Sequence, residues 1–291
     1  MAGLASAVLN GSPPRSLAVR LARSVRHLHL TLFPPVCASC GGFLAPNPPQ
    51  PAGLHPYLCP SCEAALDWRV AARCCRNCGR LVADPPQQGL PGWLRCPACP
   101  AELPAWDSVA AAFGYDDPVR RWILRLKYYR EDYLAPMLGA LLARTMREAG
   151  LAADVDAVVP VPLHPSRIRR RGFSQSHLLA AHALAALRLQ GLCVAPLRAD
   201  LIRRHRPTRP QTELSYGERR SNVEGAFSLP PAPKSLRRAG SARASAPESL
   251  AGAHVLLVDD VLTTGATLDA CARTLKAAGV RRVSAVVLAR A

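Results

Sequence analysis

The sequence lacks a long hydrophobic run. Although 49% of its 291 residues are hydrophobic, no stretch of 18 or more consecutive apolar residues occurs. A helix that crosses a bilayer needs about 20 such residues, so we predict no membrane span. The first 30 residues also lack the continuous apolar core of a secretion signal, because arginine and histidine interrupt the segment 17–32. We expect a cytoplasmic protein with an N-terminal amphipathic segment at 1–31. The stretch 17–32 is predicted to form an amphipathic helix, packed on its own chain or docked on a partner or membrane surface.

Acidic residues and lysine are both scarce. The chain has 20 Asp and Glu against 37 Lys and Arg, and lysine accounts for only 3 of these 37. The resulting net charge of +17 favours anionic partners such as nucleic acid, phosphorylated metabolites or acidic membrane surfaces. A genomic bias toward arginine codons is the alternative explanation for the charge as a whole.

Cysteine is nearly absent outside one region, since nine of the 11 cysteines lie between residues 37 and 99. With no export signal, metal binding is a better explanation for them than disulfides. Two C-x2-C turns complete a tetrahedron around Zn²⁺, and spacers of 18 and 17 residues are typical of zinc ribbons. We predict two structural zinc sites, with sequential or interleaved ligation, against free thiols or an iron–sulfur cluster. The eight predicted ligands are Cys37, Cys40, Cys59, Cys62, Cys75, Cys78, Cys96 and Cys99.

The three remaining cysteines are not predicted to bind metal. Cys74 adjoins Cys75, which has the better spacing for a ligand. Cys193 and Cys271 lie in apolar surroundings, and we expect both to be buried as small hydrophobic residues. Because the ligands fall in a double zinc-ribbon region at 32–104, loss of either metal is expected to leave the following domain folded.

Residues 105–291 have the pattern of an α/β domain. Strands alternate with helices, which implies a parallel sheet. A low-complexity segment at 230–250 is expected to be a disordered insertion. The predicted strands are 107–115, 155–163, 254–260 and 280–290, and the predicted helices are 118–128, 133–150, 174–191 and 267–279.

One short segment, VLLVDDVLTTGAT at 255–267, places two adjacent carboxylates directly after four apolar residues. Asp259 and Asp260 thus end a buried strand, and the loop after them leads into a helix. In open α/β sheets such a helix N-terminus binds phosphate. The carboxylates suit ribose hydroxyls and the water shell of Mg²⁺. The motif indicates one ligand that carries a phosphate, a sugar diol and a metal ion; a plain helix start with incidental aspartates is the alternative.

The same segment resembles the phosphoribosyl pyrophosphate (PRPP) loop of the type I phosphoribosyltransferases. Four other motifs precede it in order: LFPPVCASCGG, YDDPVRRWILRLKY, VPLHPSRIRRRGFSQS and RHRPTRPQTELSYGERRSNVEGAF. The ordered set resembles the ComF family of competence-associated proteins from about residue 32 onward. This resemblance implies a parallel-sheet type I phosphoribosyltransferase-like domain of the α/β class, preceded by a small N-terminal zinc-ribbon region with four cysteines to each metal.

The resemblance also implies roles for individual residues. Asp259 and Asp260 would contact the ribose hydroxyls of Mg-bound PRPP. The 5′-phosphate would bind to Thr263, Thr264, Gly265, Ala266 and Thr267. A pyrophosphate loop at 162–171 would use His164, Arg167, Arg170 and Arg171. A hood over the site at 203–222 would contribute Arg209, Gln211, Arg219 and Asn222.

Two departures from these families affect the expected chemistry. Thr263 stands where 6-oxopurine phosphoribosyltransferases carry a base-contacting aspartate, which argues against purine salvage of that kind. Ser174 stands where an asparagine is expected in the ComF family. No pocket for an acceptor base and no general base can be identified from the sequence.

Two functions of different classes therefore remain. The first is a phosphoribosyltransferase of unknown acceptor, with preorganised charge around the leaving pyrophosphate. The second is a PRPP-binding protein that handles single-stranded DNA during uptake or recombination, together with other proteins of those processes. Residues 167–220 hold 12 arginines and three acidic residues, and a basic groove lined by aromatic side chains can track a strand. The predicted DNA contacts are Arg169, Arg170, Arg171 and Phe173.

Overall fold

The computed structural model describes residues 32, 34–44, 57–67, 74–80, 82, 96–99, 102–207, 221–230 and 250–291. The predicted N-terminal segment 1–31 and nearly all of the predicted insertion 230–250 lie outside these ranges. The chain divides into two compact units, residues 1–64 and 65–291. Within the described ranges, no helix is both long and apolar enough to cross a membrane.

The first unit contains the first two C-x2-C turns. Around Cys37 the backbone closes a tight turn, because the Cys37 N–H donates to the Gly42 carbonyl and the Gly41 N–H donates to the Cys37 carbonyl. The N–H of Ala38 donates to the carbonyl of Tyr57 at 2.9 Å, which joins this turn to the segment before the short helix α1 (Pro60–Ala64). Local hydrogen bonds thus bring both cysteine pairs of this unit together.

The second unit contains an α/β sheet domain, as predicted. Its helices are α2 (Val119–Tyr128), α3 (Ala135–Glu148), α4 (Pro165–Arg171), α5 (Gln175–Leu189) and α6 (Ala266–Ala277), with a 3-10 turn at Asp132–Leu134. Its strands are β1 (Ser108–Gly114), β2 (Ala157–Pro160), β3 (Arg203–Arg204), β4 (Phe227–Ser228), β5 (His254–Leu262) and β6 (Arg282–Arg290).

Four strands form a parallel sheet in the order β1-β6-β5-β2. Strand β5 is central, and its first five residues are all buried. Such continuous burial is expected of a parallel strand that is covered on both faces. Strand β2 pairs with β5 only as far as Pro160 opposite Val258, so the last four residues of β5 extend beyond its neighbour. The carboxylates of β5 therefore lie where the sheet opens toward its carboxyl edge.

Helices cover both faces of the sheet. On one face, α6 packs its buried residues Leu268, Cys271 and Leu275 against the strands, together with the antiparallel pair β3–β4. On the other face α3 and α5 pack on each other and on the strands. Gly139 permits their close approach, because a Cβ atom there would lie 2.9 Å from the backbone nitrogen of Ala183.

The strands and helices predicted for residues 105–291 all occur, with ends shifted by a few residues. Two features differ from the prediction. The segment expected to form the pyrophosphate loop contains the helix α4, which begins after the N-cap His164. The hood segment begins with the short strand β3, which pairs with β4. Neither element carries a regular hydrophobic period, so no local signal predicts it.

Candidate functional site

The acidic pair lies near the carboxyl end of β5, which continues for two residues beyond the predicted end at Asp260. Asp260 is only 5% exposed, and Asp259 is half-buried. One carboxylate oxygen of Asp260, Oδ1, lies 2.9 Å from Nζ of Lys127. The other, Oδ2, is buried and accepts no hydrogen bond from any described residue. A buried carboxylate with one oxygen unsatisfied is poised for a donor or a cation that is not part of the chain.

Lys127 reaches the acidic pair from the last turn of α2. The buried residues of this helix are Val119, Trp122, Ile123 and Leu126, which share one helical face. Lys127 follows Ile123 by four positions, so it lies on this same inward face rather than in solvent. Burial by itself would lower the pKa of Lys127, but the charges of Asp260 and Asp259 outweigh it and raise that pKa. The lysine is therefore charged and neutralises part of the acidic pair.

Asp259 is held by the N-terminal turn of α5. Its Oδ1 accepts hydrogen bonds from the hydroxyl of Ser176 and from the backbone N–H of Asp260, both at 2.9 Å. Desolvation and repulsion by Asp260 raise the pKa of Asp259 to about 7, although Lys127 and these hydrogen bonds act in the opposite direction. Within the pair, Asp259 is thus the carboxylate whose pKa lies near neutrality.

The loop 263–265 joins β5 to α6, whose N-cap is Gly265. Gly265 adopts φ +84°, which is strained for any residue with a side chain. A Cβ atom there would also lie 2.7 Å from Cη2 of Trp106. The sequence alone attributes this glycine to space for a phosphate, whereas the structure supplies a different requirement for it. Thr264 accepts a hydrogen bond from the Ala266 N–H through its hydroxyl, and Thr263 and Thr267 are half-buried.

An arginine-rich helix lies after β2, the strand next to β5. In α4 Arg169 and Arg170 are exposed, whereas Arg167 and Arg171 are half-buried. His164 caps this helix, because its Nδ1 accepts from the backbone N–H of Ser166. Since β2 and β5 are neighbours, α4 and the acidic pair share one edge of the sheet.

Arg171 stacks on an aromatic ring at the end of α2. Its guanidinium carbon lies 5.3 Å from the ring centroid of Tyr128. Its Nε and Nη1 atoms are shielded from solvent and have no hydrogen-bond partner among the described residues. This guanidinium is held in place by the ring while two of its donors stay unused.

A second buried guanidinium belongs to Arg204 in β3. The residue is 6% exposed, and its guanidinium carbon lies 5.3 Å from the ring centroid of Phe227. Burial lowers the pKa of Arg204 to about 10; the positive charge of Arg167 lowers it too, and Asp259 raises it. Arg204 therefore stays charged at neutral pH and acts electrostatically on both α4 and the acidic pair.

The predicted hood residues are only partly described. Arg209, Gln211 and Arg219 lie outside the described residues, as does Tyr216. Asn222 is half-buried, and its backbone carbonyl accepts a hydrogen bond from Arg206 at 3.2 Å. Phe173, predicted as a DNA contact, is half-buried in the turn before α5. Ser174 is the N-cap of α5 as predicted, but its side chain makes no capping hydrogen bond.

The eight predicted cysteine ligands form two groups in sequential order. Cys37, Cys40, Cys59 and Cys62 make the first group, and Cys75, Cys78, Cys96 and Cys99 make the second; in each, all sulfur atoms lie within 4.8 Å of one another. Tetrahedral Zn²⁺ with bonds of about 2.3 Å holds its sulfur ligands about 3.8 Å apart. In the first group Cys40 Sγ lies 3.9 Å from Cys59 Sγ, and three of the sulfur–sulfur distances in the second group are 3.5, 3.6 and 3.7 Å. Both groups therefore fit zinc, and the interleaved alternative is excluded.

The cysteines outside the two groups differ from one another. Cys74 is buried and belongs to neither group, as expected from its spacing. Cys271 is fully buried in α6, as predicted. The prediction for Cys193 is wrong, because this residue is exposed. It lies in the connection after α5, where the chain has left the hydrophobic core.

The second cysteine group belongs to the sheet unit. The N–H of Val109 in β1 donates to the carbonyl of Arg76 at 2.7 Å, and Nε of Arg290 in β6 donates to the carbonyl of Cys78 at 2.9 Å. The backbone between the ligands thus accepts one hydrogen bond from the backbone of β1 and one from a side chain of β6. This packing revises the expectation that either metal can be lost without consequence for the sheet.

We expect freshly purified, reduced protein to contain close to two zinc atoms per chain, and Cys37→Ser or Cys96→Ser to lose one each. Cys96→Ser should lower the melting temperature of the sheet unit by about 5 °C, because the backbone that caps β1 and β6 loosens. Cys37→Ser is the matched control and should leave that transition unchanged. Elemental analysis and calorimetry measure both quantities, and a parent protein without zinc would contradict the assignment.

Four residues near the predicted site were not identified from the sequence: Lys127, Ser176, Arg204 and Trp106. Lys127 had a usable signal, because it is one of only three lysines in a chain with 34 arginines. A lysine retained against such a bias, next to apolar helix positions, indicates a specific role. Nothing in the local sequence distinguishes Arg204 from the neighbouring arginines.

Comparison with known proteins agrees with this geometry. The model of the phosphoribosyl transferase domain matches residues 198–291. The chain is 28% identical over 237 residues to competence protein F of Haemophilus influenzae, which covers 80% of this chain and 90% of that protein. It is 31% identical over 248 residues to DNA utilization protein YhgH of Salmonella typhi, and 31% identical over 245 residues to YhgH of Escherichia coli K12. Each of these matches covers 81% of this chain and 97% of the relative.

Proposed function

Because the chain belongs to the ComF family, with a phosphoribosyltransferase domain and two cysteine groups that fit zinc, we propose that it binds Mg-PRPP and handles single-stranded DNA. Handling of DNA would take place in the cytoplasm during uptake or recombination, together with other proteins of those processes. The names competence protein F and DNA utilization protein describe relatives, and they motivate this proposal for the present chain.

The observation that carries the PRPP proposal is the pairing of β2 with β5. It brings the arginines of α4 and the acidic pair of β5 to one edge of the sheet. A ligand with a pyrophosphate at one end, a sugar diol in the middle and a phosphate at the other end matches this order of charges. The pyrophosphate would lie against α4, the diol against Asp259 and Asp260, and the 5′-phosphate in the loop 263–265.

The acidic pair also has the donor set that a hydrated Mg²⁺ ion needs. The unsatisfied Oδ2 of Asp260 offers an acceptor for a metal-bound water, and Mg²⁺ in proteins usually keeps several waters. When bound, the ion would supply positive charge beside Asp259 and Asp260, which would hold it through its waters. Lys127 holds Oδ1 of Asp260, so the chain itself fixes the orientation of this carboxylate.

The surface beside α4 supports contact with single-stranded DNA. Arg169 and Arg170 are exposed, and at the end of α2 Tyr128 and Tyr129 are 54% and 71% exposed. Exposed rings stack on bases regardless of sequence, and arginines follow the phosphate backbone. Nη2 of Arg130 donates to the carbonyl of Arg170 at 3.2 Å, which joins the tyrosine segment to α4. A strand bound here would cross the mouth of the proposed PRPP site.

Calorimetry of the purified chain tests both parts of the proposal. We expect PRPP to bind only with Mg²⁺, and single-stranded DNA to bind at low salt with an affinity that changes when Mg-PRPP is present. Release of pyrophosphate in the presence of candidate bases would identify the protein as an active phosphoribosyltransferase. A chain that shows no Mg-dependent affinity for PRPP would refute the PRPP proposal, and a chain that binds no DNA at low salt would refute the DNA proposal.

A further inference from the structure

The second cysteine group contacts the loop 263–265 through a buried tryptophan. The indole N–H of Trp106 donates at 2.8 Å to the carbonyl of Asn77, a residue between the ligands Cys75 and Cys78. Trp106 is 8% exposed, and its ring packs against Gly265 at the N-terminus of α6. The side chain of Trp106 therefore connects the turn 75–78, which carries two of the cysteine ligands, with Gly265 at the start of α6.

A second connection reaches the other end of the same loop. Arg290 donates from Nε to the carbonyl of Cys78 and from Nη1 to the carbonyl of Leu262, at 2.9 and 3.0 Å. Gly79 packs against Leu262 so closely that a Cβ atom on it would lie 2.9 Å from a leucine methyl carbon. Leu262 is the last residue of β5, directly before the loop.

A third contact holds the helix that follows the loop. The backbone N–H of Ala105, next to Trp106, donates to Oδ1 of Asp269 at 2.6 Å. Asp269 lies in the first turn of α6, and its other oxygen pairs with Arg273. The entry, the exit and the first helical turn of the loop are thus all tied to the cysteine group or to the segment beside it.

We propose that the second zinc site is a positioning element for the 5′-phosphate loop, and that Trp106 is the residue that transmits its order. Metal binding folds the 75–78 turn and so fixes the carbonyls of Asn77 and Cys78. Those carbonyls hold Trp106 and Arg290, which restrict Gly265 and Leu262. If the phosphate loop is already ordered before the ligand binds, less free energy is spent on ordering it during binding. The first cysteine group belongs to the unit of residues 1–64, and none of the contacts named above involves it.

Hydrogen exchange in the ligand-free protein tests the positioning role without depending on PRPP. Trp106→Phe keeps most of the ring but removes the N–H that reaches Asn77. We expect amide exchange in the segment 262–270 to become about fivefold to tenfold faster, as for loss of one hydrogen bond, with both zinc atoms retained. Trp122→Phe, in the buried face of α2, is the matched control and should leave exchange in this segment unchanged.

The metal variants supply a second measurement. Cys96→Ser should accelerate exchange in the segment 262–270 at least as much as Trp106→Phe, whereas Cys37→Ser should not. If Cys96→Ser does not fold, Trp106→Phe still decides the question. Unchanged exchange in a zinc-replete Trp106→Phe protein would overturn the proposal.

The proposal rests on the proposed function only for its ligand. If the parent binds Mg-PRPP, Trp106→Phe should weaken that binding by about fivefold to tenfold. If the parent binds no PRPP, the proposed function is wrong. The amide exchange rates of the segment 262–270 then still show whether the zinc site orders the loop. The two failures are therefore distinguishable.

Discussion

The double variant Asp259→Asn/Asp260→Asn is expected to lose Mg-dependent PRPP binding. Both changes remove negative charge from the place where a diol and a hydrated cation would bind, and an amide donor there opposes a metal-bound water. The variant should still fold, although less stably, because both side chains lie near the carboxyl end of β5, beyond its pairing with β2, while Lys127 loses its partner. Isothermal titration with PRPP, with and without Mg²⁺, measures the effect.

The single variants should differ in stability. Asp260→Asn leaves Lys127 buried without its partner, and breaking such a pair costs about 3–5 kcal/mol. Adding Lys127→Met to Asp260→Asn should recover most of this loss. Asp259→Asn should instead stabilise the protein at pH 8, because it removes a charge whose desolvation and repulsion by Asp260 raise the pKa of Asp259. If the aspartates only capped the following helix, each variant would lose about 1 kcal/mol and the parent would bind no PRPP.

Binding of Mg-PRPP should also depend on pH through Asp259. Its pKa is raised to about 7 in the folded protein from an ordinary value of 3.8. The stability that protonated Asp259 contributes is therefore fully present below about pH 4 and is lost as the pH rises through 7. A bound cation favours the ionised carboxylate. We therefore expect affinity to increase between about pH 6 and 8, with protons released on binding, and Asp259→Asn to abolish this dependence. Titrations in buffers of different ionisation enthalpy count the protons, and an affinity independent of pH in the parent would contradict the role.

The second large effect concerns DNA. Replacing Arg169, Arg170 and Arg171 by Gln should weaken binding of single-stranded DNA and flatten its salt dependence. Each phosphate contact on a single strand contributes about 0.7 to the slope of log affinity against log salt, so the loss of three should reduce that slope by about 2. Affinity in the parent should depend little on base sequence. Fluorescence anisotropy over a salt series measures the slope.

A charge-matched control separates a local site from the general basicity of the chain. Arg169→Gln/Arg170→Gln removes two exposed charges of α4. Arg281→Gln/Arg282→Gln removes two charges at the start of β6, where the amino ends of the parallel strands lie, away from α4. Only the first pair should change the slope. Equal effects of the two pairs would show that total charge matters and α4 does not, and tight binding insensitive to salt would contradict phosphate contact altogether.

Several features of this protein were determined by local sequence alone. The C-x2-C spacing identifies the eight ligands because a turn of that length presents two thiolates to one point. The apolar runs of β5 and β6 identify strands covered on both faces, and hence a parallel sheet. The segment VLLVDDVLTTGAT locates the acidic pair and the loop that we propose to bind phosphate, because strand, loop and helix start are consecutive in the chain. Each of these inferences needs only neighbours in sequence, and the structure shows the two cysteine groups, the parallel sheet and the order of strand, loop and helix around the acidic pair.

Only the tertiary structure decided which distant side chains act on the acidic pair and the loop. Lys127 meets Asp260 because the amphipathic face of α2 packs inward, although the two residues are far apart in the sequence. Arg204 reaches the same edge because β3 pairs with β4, two strands too short to have a pattern. Trp106 joins Asn77 to Gly265 because the second cysteine group packs on β1 and β6. The cysteine spacing of the two groups is nearly the same, so the sequence does not show that only the second group belongs to the sheet unit. Contacts of this kind depend on how amphipathic faces and strand ends pack together. The hydrophobic periodicity of the sequence predicts which face of a helix or strand is buried, but not which residues that face contacts.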